Sequence, residues 1–541
     1  MPKFFFALMS LLIFISVSKF CLAEPSQTVM VPMRDGVKLA TDIYLPTGDG
    51  PWPVILIRTP YNKEGVEAWG GMANLGGYVF VAQDFRGRFG SEGKDYPVFL
   101  HGGWSKYQDG YDTVEWIAEQ EWCNGKVGGI GMSAPAIDLN MMAPSRPPHL
   151  VCIYSVVAYS SMYHQCTYQG GVFRKSLMEL WLSGNEFDPK NLEMFRAHPN
   201  YDDFWKKFDC ESVADRVNVP CLFLGGWYDI FNAGSVNSFT TINNNGDEGA
   251  RGNCILAMEA YGHGRAEECV QFPDKGRPEI ANIGNWMSWF DMWMKNDGKG
   301  MEELKPVYYF VMGDPDDKNT PGNQWKSADD WPIPAEMTKA YFHSDGKLSF
   351  NPSEESESSL YYDYDPKDPV PTIGGANLVI SKGPMDQQSI EDREDVLLFT
   401  SDELENYMEI TGPLTVKIWA LSDAVDTDFT AKLCDVYPDG RSILIADGII
   451  RASHRNTLKK RELMEPGQIY EFEIDLWNTS LVFSPGHRIR VAISSSNSPR
   501  FDTNPNTGKL PDEDEKTKVA RNTIYMDAEH PSHIILPVVP Q

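Results

Sequence analysis

One serine of this chain stands in a setting that can make it a nucleophile. Ser133 follows the apolar run KVGGI and the dipeptide GM, and the small residues APA come directly after it. This order predicts a buried strand, a tight turn and the start of a helix, a context that exposes a serine hydroxyl at the edge of a sheet. A Gly-x-Ser by itself is a weak signal, because glycine and serine mark turns in most proteins. The residues further along the chain strengthen it.

Two of those residues match what a serine nucleophile needs. The hydroxyl becomes reactive when a neutral imidazole takes its proton, and a carboxylate must orient that imidazole and stabilise its charged form. On a parallel α/β sheet such a triad runs serine, acid, histidine along the chain, and each residue follows a strand. Asp229 follows the apolar run VPCLFLGGWY, and His263 follows GNCILAMEAYG. Each alone also fits a helix cap or a turn, but their order predicts Ser133, Asp229 and His263 as a triad.

Acyl transfer through a serine also needs hydrogen-bond donors for the oxygen that becomes negative. The backbone N–H of the residue after the nucleophile, Ala134, is one such donor. The strand VILIRT ends just before Pro60 and Tyr61, and a tyrosine hydroxyl keeps its proton at pH 7 because its ordinary pKa is about 10. Tyr61 is therefore the predicted second donor. A tyrosine packed in the core behind the turn is the alternative.

Longer stretches of the chain resemble one family. They are RTPYNK, QDFRGRFGSEG, DGYDTVEWIAEQEWCNGKVGGIGMS, GGWYD, DTDFTAKLCDVYPDGRSILIADGIIR and GHRIRVAISSSNSPRFDTNPNTG, spread over almost all of the chain after its N-terminus. In these the sequence resembles the cocaine-esterase and X-prolyl dipeptidyl-peptidase group of α/β hydrolases, which includes α-amino acid ester hydrolases and some β-lactam acylases. The resemblance implies that Ser133, Asp229 and His263 are the triad and that Tyr61 is the oxyanion tyrosine.

The residues around Asp229 differ from one branch of that group. By the resemblance, α-amino acid ester hydrolases hold the substrate ammonium with carboxylates two and three positions after the triad aspartate. This chain has Phe231 and Asn232 there, and Cys166 near the third carboxylate position. The missing clamp predicts an apolar or aromatic acyl group rather than an α-amino one. Trp227 and Phe231 are the predicted substrate-binding residues, with packing in the core as the alternative.

The N-terminus predicts where the protein works. Residues 1–23 combine an early lysine, a short apolar stretch and the ending CLA, which is typical of a cleaved secretory signal peptide. The stretch is short for a membrane span and is interrupted by serine and lysine. We therefore expect export, to the periplasm or out of the cell, with no stable membrane span after cleavage.

The composition excludes some partners. The 541 residues carry a formal net charge of −28 and a pI near 4.7, so a nucleic acid backbone would be repelled. No Cys-x-x-Cys pattern or histidine cluster occurs, and no metal or other cofactor is predicted. Eight of the nine cysteines follow the predicted signal peptide. An even number in an exported protein permits disulfides, whose pairing stays open.

Changes of pattern predict the domain organisation. Strand-like runs alternate with helical ones over 24–154 and again over 215–304, which is typical of a parallel sheet with crossover helices. Residues 155–214 between them are aromatic and helical, which predicts a cap. Short alternating strands fill 305–541 and predict an all-β sandwich, a jelly roll by the resemblance. The fold class is thus an α/β hydrolase with a helical cap, followed by a jelly-roll domain.

The function predicted is an exported serine hydrolase that cleaves esters of small molecules, with amides as a further possibility, through an acyl-enzyme. An X-Pro dipeptidyl-peptidase or acylase acting on amides is the alternative. A second alternative is an inactive binding protein, motivated by Ala134 and Ala136, where members of the family usually carry tyrosine and glycine. The sequence leaves the oligomeric state open. In QDFRGRFGSEG, Asp84, Arg86 and Arg88 are predicted to support the serine turn from behind.

Overall fold

The computed structural model describes residues 23–264, 269–273, 285–511 and 516–540. Residues 1–22 of the predicted signal peptide therefore lie outside the described residues. Within these ranges none of the helices has the length and apolar character that crossing a membrane requires. Of the eight cysteines described, seven are buried free thiols, and Cys269 is half-buried.

The N-terminal part is built from alternating strands and helices. Its strands are β1 (Gln27–Pro32), β2 (Lys38–Tyr44), β3 (Trp52–Thr59), β4 (Val79–Asp84), β5 (Cys123–Met132), β6 (Leu150–Val156), β7 (Tyr168–Gln169), β8 (Val172–Phe173), β9 (Cys221–Tyr228), β10 (Ile255–Gly262), β11 (Val307–Gly313) and β12 (Gln324–Ala328). Its α-helices are α1 (Glu67–Leu75), α2 (Asp109–Ala118), α3 (Ala134–Met142), α4 (Lys175–Gly184), α5 (Lys190–Arg196), α6 (Asn232–Asn245) and the short Trp286–Phe290.

One sheet joins most of these strands in the order β1-β2-β4-β3-β5-β6-β9-β10-β11-β12. The strands from β4 to β11 pair in parallel, and antiparallel strands close both ends. Helices cover the faces of a parallel sheet, so its strands are buried on both sides and are apolar throughout rather than alternating. The runs VILI of β3 and VFVA of β4 are fully buried for this reason.

The predicted cap region lies between β6 and β9. It contains a π-helix at Tyr163–Thr167, the small hairpin β7–β8, the helices α4 and α5, and 3-10 turns at Trp205–Phe208 and Glu211–Arg216. Its core is aromatic: Tyr163, Tyr168 and Trp205 pack against one another with ring centroids 5.0–6.0 Å apart. Such ring pairs hold short, irregular segments that form few regular backbone ladders.

The C-terminal part is a β-sandwich. Its strands are β13 (Glu336–Phe342), β14 (Leu348–Ser349), β15 (Ser359–Tyr364), β16 (Leu397–Thr400), β17 (Met408–Ser422), β18 (Asp428–Val436), β19 (Ser442–Arg451), β20 (Tyr470–Phe483), β21 (Arg488–Ser494), β22 (Ala520–Tyr525) and β23 (His533–Val538). One sheet has the order β16-β21-β18-β19. In the other, β17 pairs antiparallel with β20, β22 and β23. Along β17 buried and less buried residues alternate, as one covered face requires.

The two parts share a strand. β11 continues the parallel sheet beside β10 at Leu256–Met258, and its end pairs in parallel with β20 at Met312 and Gly313. The sequence pattern predicts that everything after residue 305, and so β11 as well, belongs to the sandwich. The residues of a single strand do not show which strands it will pair with. The two sheets are consequently hydrogen-bonded to each other.

Candidate active site

Ser133 lies on a sharp turn between β5 and α3. Its backbone has φ 61° and ψ −126°, a strained conformation that strand-to-helix nucleophile turns adopt. The turn is tight because a Cβ on Gly131 would lie 2.5 Å from backbone atoms of Pro135 and Ala136. The Ser133 N–H donates to the Val156 carbonyl of β6 at 2.9 Å. The hydroxyl is thereby presented at the carboxyl edge of the sheet.

The structure brings Ser133, His263 and Asp229 together from the ends of β5, β10 and β9. His263 Nε2 lies 2.8 Å from Ser133 Oγ, and His263 Nδ1 lies 2.8 Å from Asp229 Oδ2. The carboxylate is fully buried, and its second oxygen accepts the Phe231 N–H at 2.7 Å. Because a carboxylate can only accept, the proton of the neutral His263 ring lies on Nδ1. Nε2 is then free to accept the serine proton.

The two predicted oxyanion donors flank the serine. Ala134 is the first residue of α3, where backbone N–H groups have no partner within the helix. Tyr61 follows β3, and its hydroxyl oxygen accepts the Trp181 indole N–H at 2.9 Å. Burial raises the pKa of Tyr61 to about 12, although Trp181 and Ser133 act in the opposite direction. The phenol is therefore a neutral donor at physiological pH.

A chain of aromatic rings lines this region. Phe231 meets the His263 ring edge-on at 5.8 Å between centroids. The chain continues from Phe231 to Tyr159, Phe99 and Trp181, with successive centroids 5.6, 5.9 and 5.9 Å apart. Phe231 thus lies at the site, where the sequence predicted it.

Trp227, the other predicted pocket residue, lies elsewhere. Its indole N–H donates to the Phe310 carbonyl of β11 at 2.7 Å, and its ring stacks on Trp331 at 5.6 Å. β9 ends at Tyr228, and the chain turns there, with the Asp229 N–H donating to the Gly226 carbonyl at 3.1 Å. Proximity to Asp229 in sequence therefore did not bring Trp227 to the candidate triad. Asn232 also turns away, donating to the carbonyls of Trp227 and Asn478.

Buried charges support the serine turn from behind. Arg58, near the end of β3, donates to Asp138 of α3 at 2.7 Å, so one ion pair ties the strand before Tyr61 to the helix after Ser133. Burial raises the pKa of Asp138 to about 6, and Arg58 lowers it. Arg86 binds Asp109 at the start of α2 at 2.6 Å. Asp109 in turn lies 4.0 Å from Arg58, which links Arg86 of the QDFRGRFGSEG stretch to the pair behind the serine turn. The predicted supporting role of Asp84 and Arg88 stays a prediction.

Side chains outside the predicted set also reach the site. Lys382, from the β-sandwich part, donates to the His263 carbonyl at 3.0 Å. Arg174 is fully buried and donates to the carbonyl of Ile230, next to Asp229, at 2.9 Å, and to that of Ala376 at 3.4 Å. No local sequence pattern identifies either residue as part of the site, because both contact residues that are far away in the sequence. In the described ranges, no group of three His, Cys, Asp or Glu residues is arranged to hold a metal ion.

Comparison with known proteins extends over both parts of the chain. The X-Pro dipeptidyl-peptidase (S15) family matches residues 35–190 and 179–264, and the X-Pro dipeptidyl-peptidase C-terminal non-catalytic domain matches residues 299–535. The cocaine esterase of Rhodococcus sp. (strain MB1 Bresler) is 33% identical, with 95% of this chain and 98% of that protein covered.

Two solved structures have the same fold. An aminopeptidase from a marine sediment archaeon, Thaumarchaeota archaeon, superposes with a TM-score of 0.83 at 23% identity, over 95% of this chain and 96% of that one. An α-amino acid ester hydrolase superposes with a TM-score of 0.80 at 24% identity, over 98% and 100% of the two chains. The two-part architecture is therefore shared along nearly the whole length.

Proposed function

Because the chain belongs to the family of cocaine esterase and the X-Pro dipeptidyl-peptidases, as its motifs predict, and is a serine hydrolase, we propose that it cleaves carboxylic esters through an acyl-enzyme on Ser133. The observation that carries this proposal is the 2.8 Å contact of Ser133 Oγ with His263 Nε2, joined to the 2.8 Å contact of His263 Nδ1 with Asp229. Both lie within the range at which a base takes a proton.

The reaction follows from these contacts. Ser133 Oγ attacks the ester carbonyl while His263 takes the serine proton, and Asp229 stabilises the imidazolium that forms. The Tyr61 hydroxyl and the Ala134 N–H donate to the oxygen that becomes negative. His263 then gives the proton to the leaving alcohol, and a water activated by the same imidazole releases the acid and restores Ser133.

The acyl group in this proposal is apolar or aromatic. The support is the ring chain from Trp181 to Phe231, which places aromatic surface against the His263 imidazole. The positions two and three after Asp229 carry Phe231 and Asn232, and the Asn232 amide is bonded to backbone carbonyls rather than directed at a ligand. An ammonium group would meet aromatic surface there instead of a carboxylate.

The signal peptide predicted at residues 1–23 supports export, and the proposed place of action is the periplasm or the medium. The proposed ester substrate is a small molecule, because the aromatic rings packed beside His263 favour a compact apolar ligand.

The test is hydrolysis of a panel of substrates by the mature protein and by Ser133→Ala. We expect turnover of short aryl esters, lost by at least about 1,000-fold in Ser133→Ala, and labelling of the wild type by a fluorophosphonate. Faster Ser133-dependent cleavage of an X-Pro amide than of every ester would favour the peptidase alternative. Absence of both turnover and labelling would contradict a catalytic role for Ser133 and favour the binding-protein alternative.

A matched pair of substrates tests the acyl preference separately. Methyl phenylacetate and methyl phenylglycinate differ only by the α-ammonium group. We expect a kcat/KM at least about 10-fold higher for the phenylacetate, because a desolvated ammonium without a partner costs more than 1.4 kcal/mol. A preference for the phenylglycinate would contradict the apolar pocket while leaving the triad proposal intact.

A further inference from the structure

The Tyr61 hydroxyl has a partner in the cap region. The indole N–H of Trp181, on α4, lies 2.9 Å from Tyr61 Oη. Neither residue stands near the other in sequence, and the contact joins the inserted cap to the loop after β3. An indole nitrogen can donate but cannot accept. In this contact Tyr61 must therefore be the acceptor, and its own proton is left for another partner.

Ser133 Oγ can be that partner, because the contacts around it fix which atoms donate and which accept. At the far end Asp229 can only accept, so His263 donates from Nδ1 and accepts at Nε2. Ser133 then donates its proton to His263. The Ser133 oxygen is then left to accept the proton that the Trp181 contact leaves on Tyr61. Trp181, which can only donate, and Asp229, which can only accept, thus set the direction of the contacts between them.

Trp181 is held rigidly in this position. Its ring stacks in parallel on Phe99, with centroids 5.9 Å apart and an interplanar angle of 5°, and it packs on Phe187 at 4.8 Å. Its backbone carbonyl accepts from the Asn185 side chain at 2.8 Å. The rings restrict rotation of the indole, so the N–H direction is set before a substrate binds.

Arg88 ties the two ends of this contact together. Its Nε donates to the carbonyl of Pro60, the residue before Tyr61, at 3.2 Å. Its other nitrogens donate to the carbonyls of Asn185 and Glu186, just after α4, at 2.6 and 2.9 Å. The guanidinium therefore holds the loop that carries Tyr61 against the end of the helix that carries Trp181.

From this geometry we propose that Trp181 is a positioning residue for Tyr61: its N–H occupies the phenol oxygen as an acceptor, so that the Tyr61 proton points to Ser133 and, after attack, to the substrate oxyanion. The proposal rests on the proposed function, since it requires Tyr61 to be an oxyanion donor. Without the Trp181 donor the phenol hydroxyl would be free to rotate and to donate elsewhere.

The experiment is a double-mutant cycle on phenyl acetate, a substrate too small to depend on the outer ring surface. We expect Trp181→Phe to lower kcat on the order of 5- to 10-fold with KM changed less than about 2-fold. In the Tyr61→Phe background the same substitution should lower kcat less than about 2-fold, because the hydroxyl that it orients is gone. Packing alone would give the same loss in both backgrounds.

Two further proteins separate a hydrogen bond from a folding defect. Trp205→Phe removes an indole N–H in the same cap region, bonded to the His198 carbonyl at 2.8 Å, and we expect its kcat on phenyl acetate to stay within about 2-fold of wild type. Benzothienylalanine at position 181 keeps the ring shape and replaces the N–H by sulfur. It should reproduce the loss of Trp181→Phe while leaving Tm unchanged.

The outcomes separate this proposal from the proposed function. Equal losses in both backgrounds, or wild-type kcat with benzothienylalanine, would overturn the positioning role while leaving the triad intact. If Tyr61→Phe itself kept wild-type kcat, the oxyanion role of Tyr61 and the role of Trp181 would both be wrong. Turnover that survives in Ser133→Ala would contradict the proposed acyl-enzyme on Ser133.

Discussion

Burial raises the pKa of several single groups in and around the candidate site. Tyr61 has its pKa raised to about 12 by burial, and the pKa of Asp138 is raised to about 6 by the same cause, against the effect of Arg58. Burial also raises the pKa of the Cys166 thiol, to about 12. A neutral phenol is the form that can donate to an oxyanion, so desolvation keeps Tyr61 in its useful state.

Tyr61→Phe should lower kcat on the order of 100-fold without loss of the fold. Folding favours the neutral form of the Tyr61 phenol. The higher kcat of the wild type is therefore retained below the pKa of the folded protein and is lost only as the pH rises through about 12. The ratio of the two kcat values should therefore stay constant from pH 7 to pH 10. A ratio near one, or one that halves by pH 10 as for an ordinary phenol, would contradict this role.

The strand, turn and helix around Ser133 act as one element. The strained φ of 61° at Ser133 persists because β5 on one side and the fully buried α3 on the other hold the turn. The Arg58–Asp138 pair fixes α3 to β3, so Tyr61 and Ala134, the two proposed oxyanion donors beside the ends of those elements, keep their separation. The small side chains of Ala134 and Ala136 leave room for the end of β5 to pack closely against the start of α3.

Gly131→Ala should open this turn. The added Cβ would lie 2.5 Å from backbone atoms, which cannot move aside as a flexible side chain can. We expect a loss of roughly 1–3 kcal/mol in the free energy of unfolding and at least about 10-fold in kcat, measured by thermal unfolding and ester turnover. Gly184→Ala, at the end of α4 with open space around it, is the matched control. Wild-type turnover in Gly131→Ala would show that the turn is not strained by close packing.

At the scale of the whole molecule, the β-sandwich part contacts the loop that carries His263 and the strand end that precedes Asp229. Lys382 donates to the His263 carbonyl at 3.0 Å, and the carbonyl of Pro384 accepts the Val270 N–H at 3.1 Å. The Tyr228 hydroxyl, beside Asp229, donates to a carbonyl of β19 at 2.8 Å. The loop after β10 thus depends on contacts from the other part of the chain.

Lys382→Met should loosen the His263 loop. One hydrogen bond to its backbone is lost, and we expect kcat/KM for an aryl ester to fall roughly 3- to 10-fold with Tm changed by less than about 2 °C. Lys367→Met, at an exposed lysine of the same part, should behave as wild type. Equal activity of the two variants would mean that the sandwich does not position the histidine.

Local patterns were enough to predict the elements and the chain order of the residues that the structure brings together at the candidate site. Apolar runs ending in GMS, GGWYD and YGHG predict strands that deliver Ser133, Asp229 and His263 to one edge of a parallel sheet, because the carboxyl ends of parallel strands share an edge. The turn needs small residues close to the serine, and this too is visible in the sequence. The family and the α/β plus sandwich architecture are confirmed by the comparisons.

Only the tertiary structure decided which neighbours each side chain meets. Trp227 lies two residues before Asp229 yet contacts Phe310 and Trp331, because the strand ends and the chain turns between the two residues. Trp181 and Lys382 reach Tyr61 and His263 from 120 and 119 residues away in sequence. Such contacts depend on how an insertion and a second sheet pack, and packing is a property of whole surfaces that no local spacing of residues encodes.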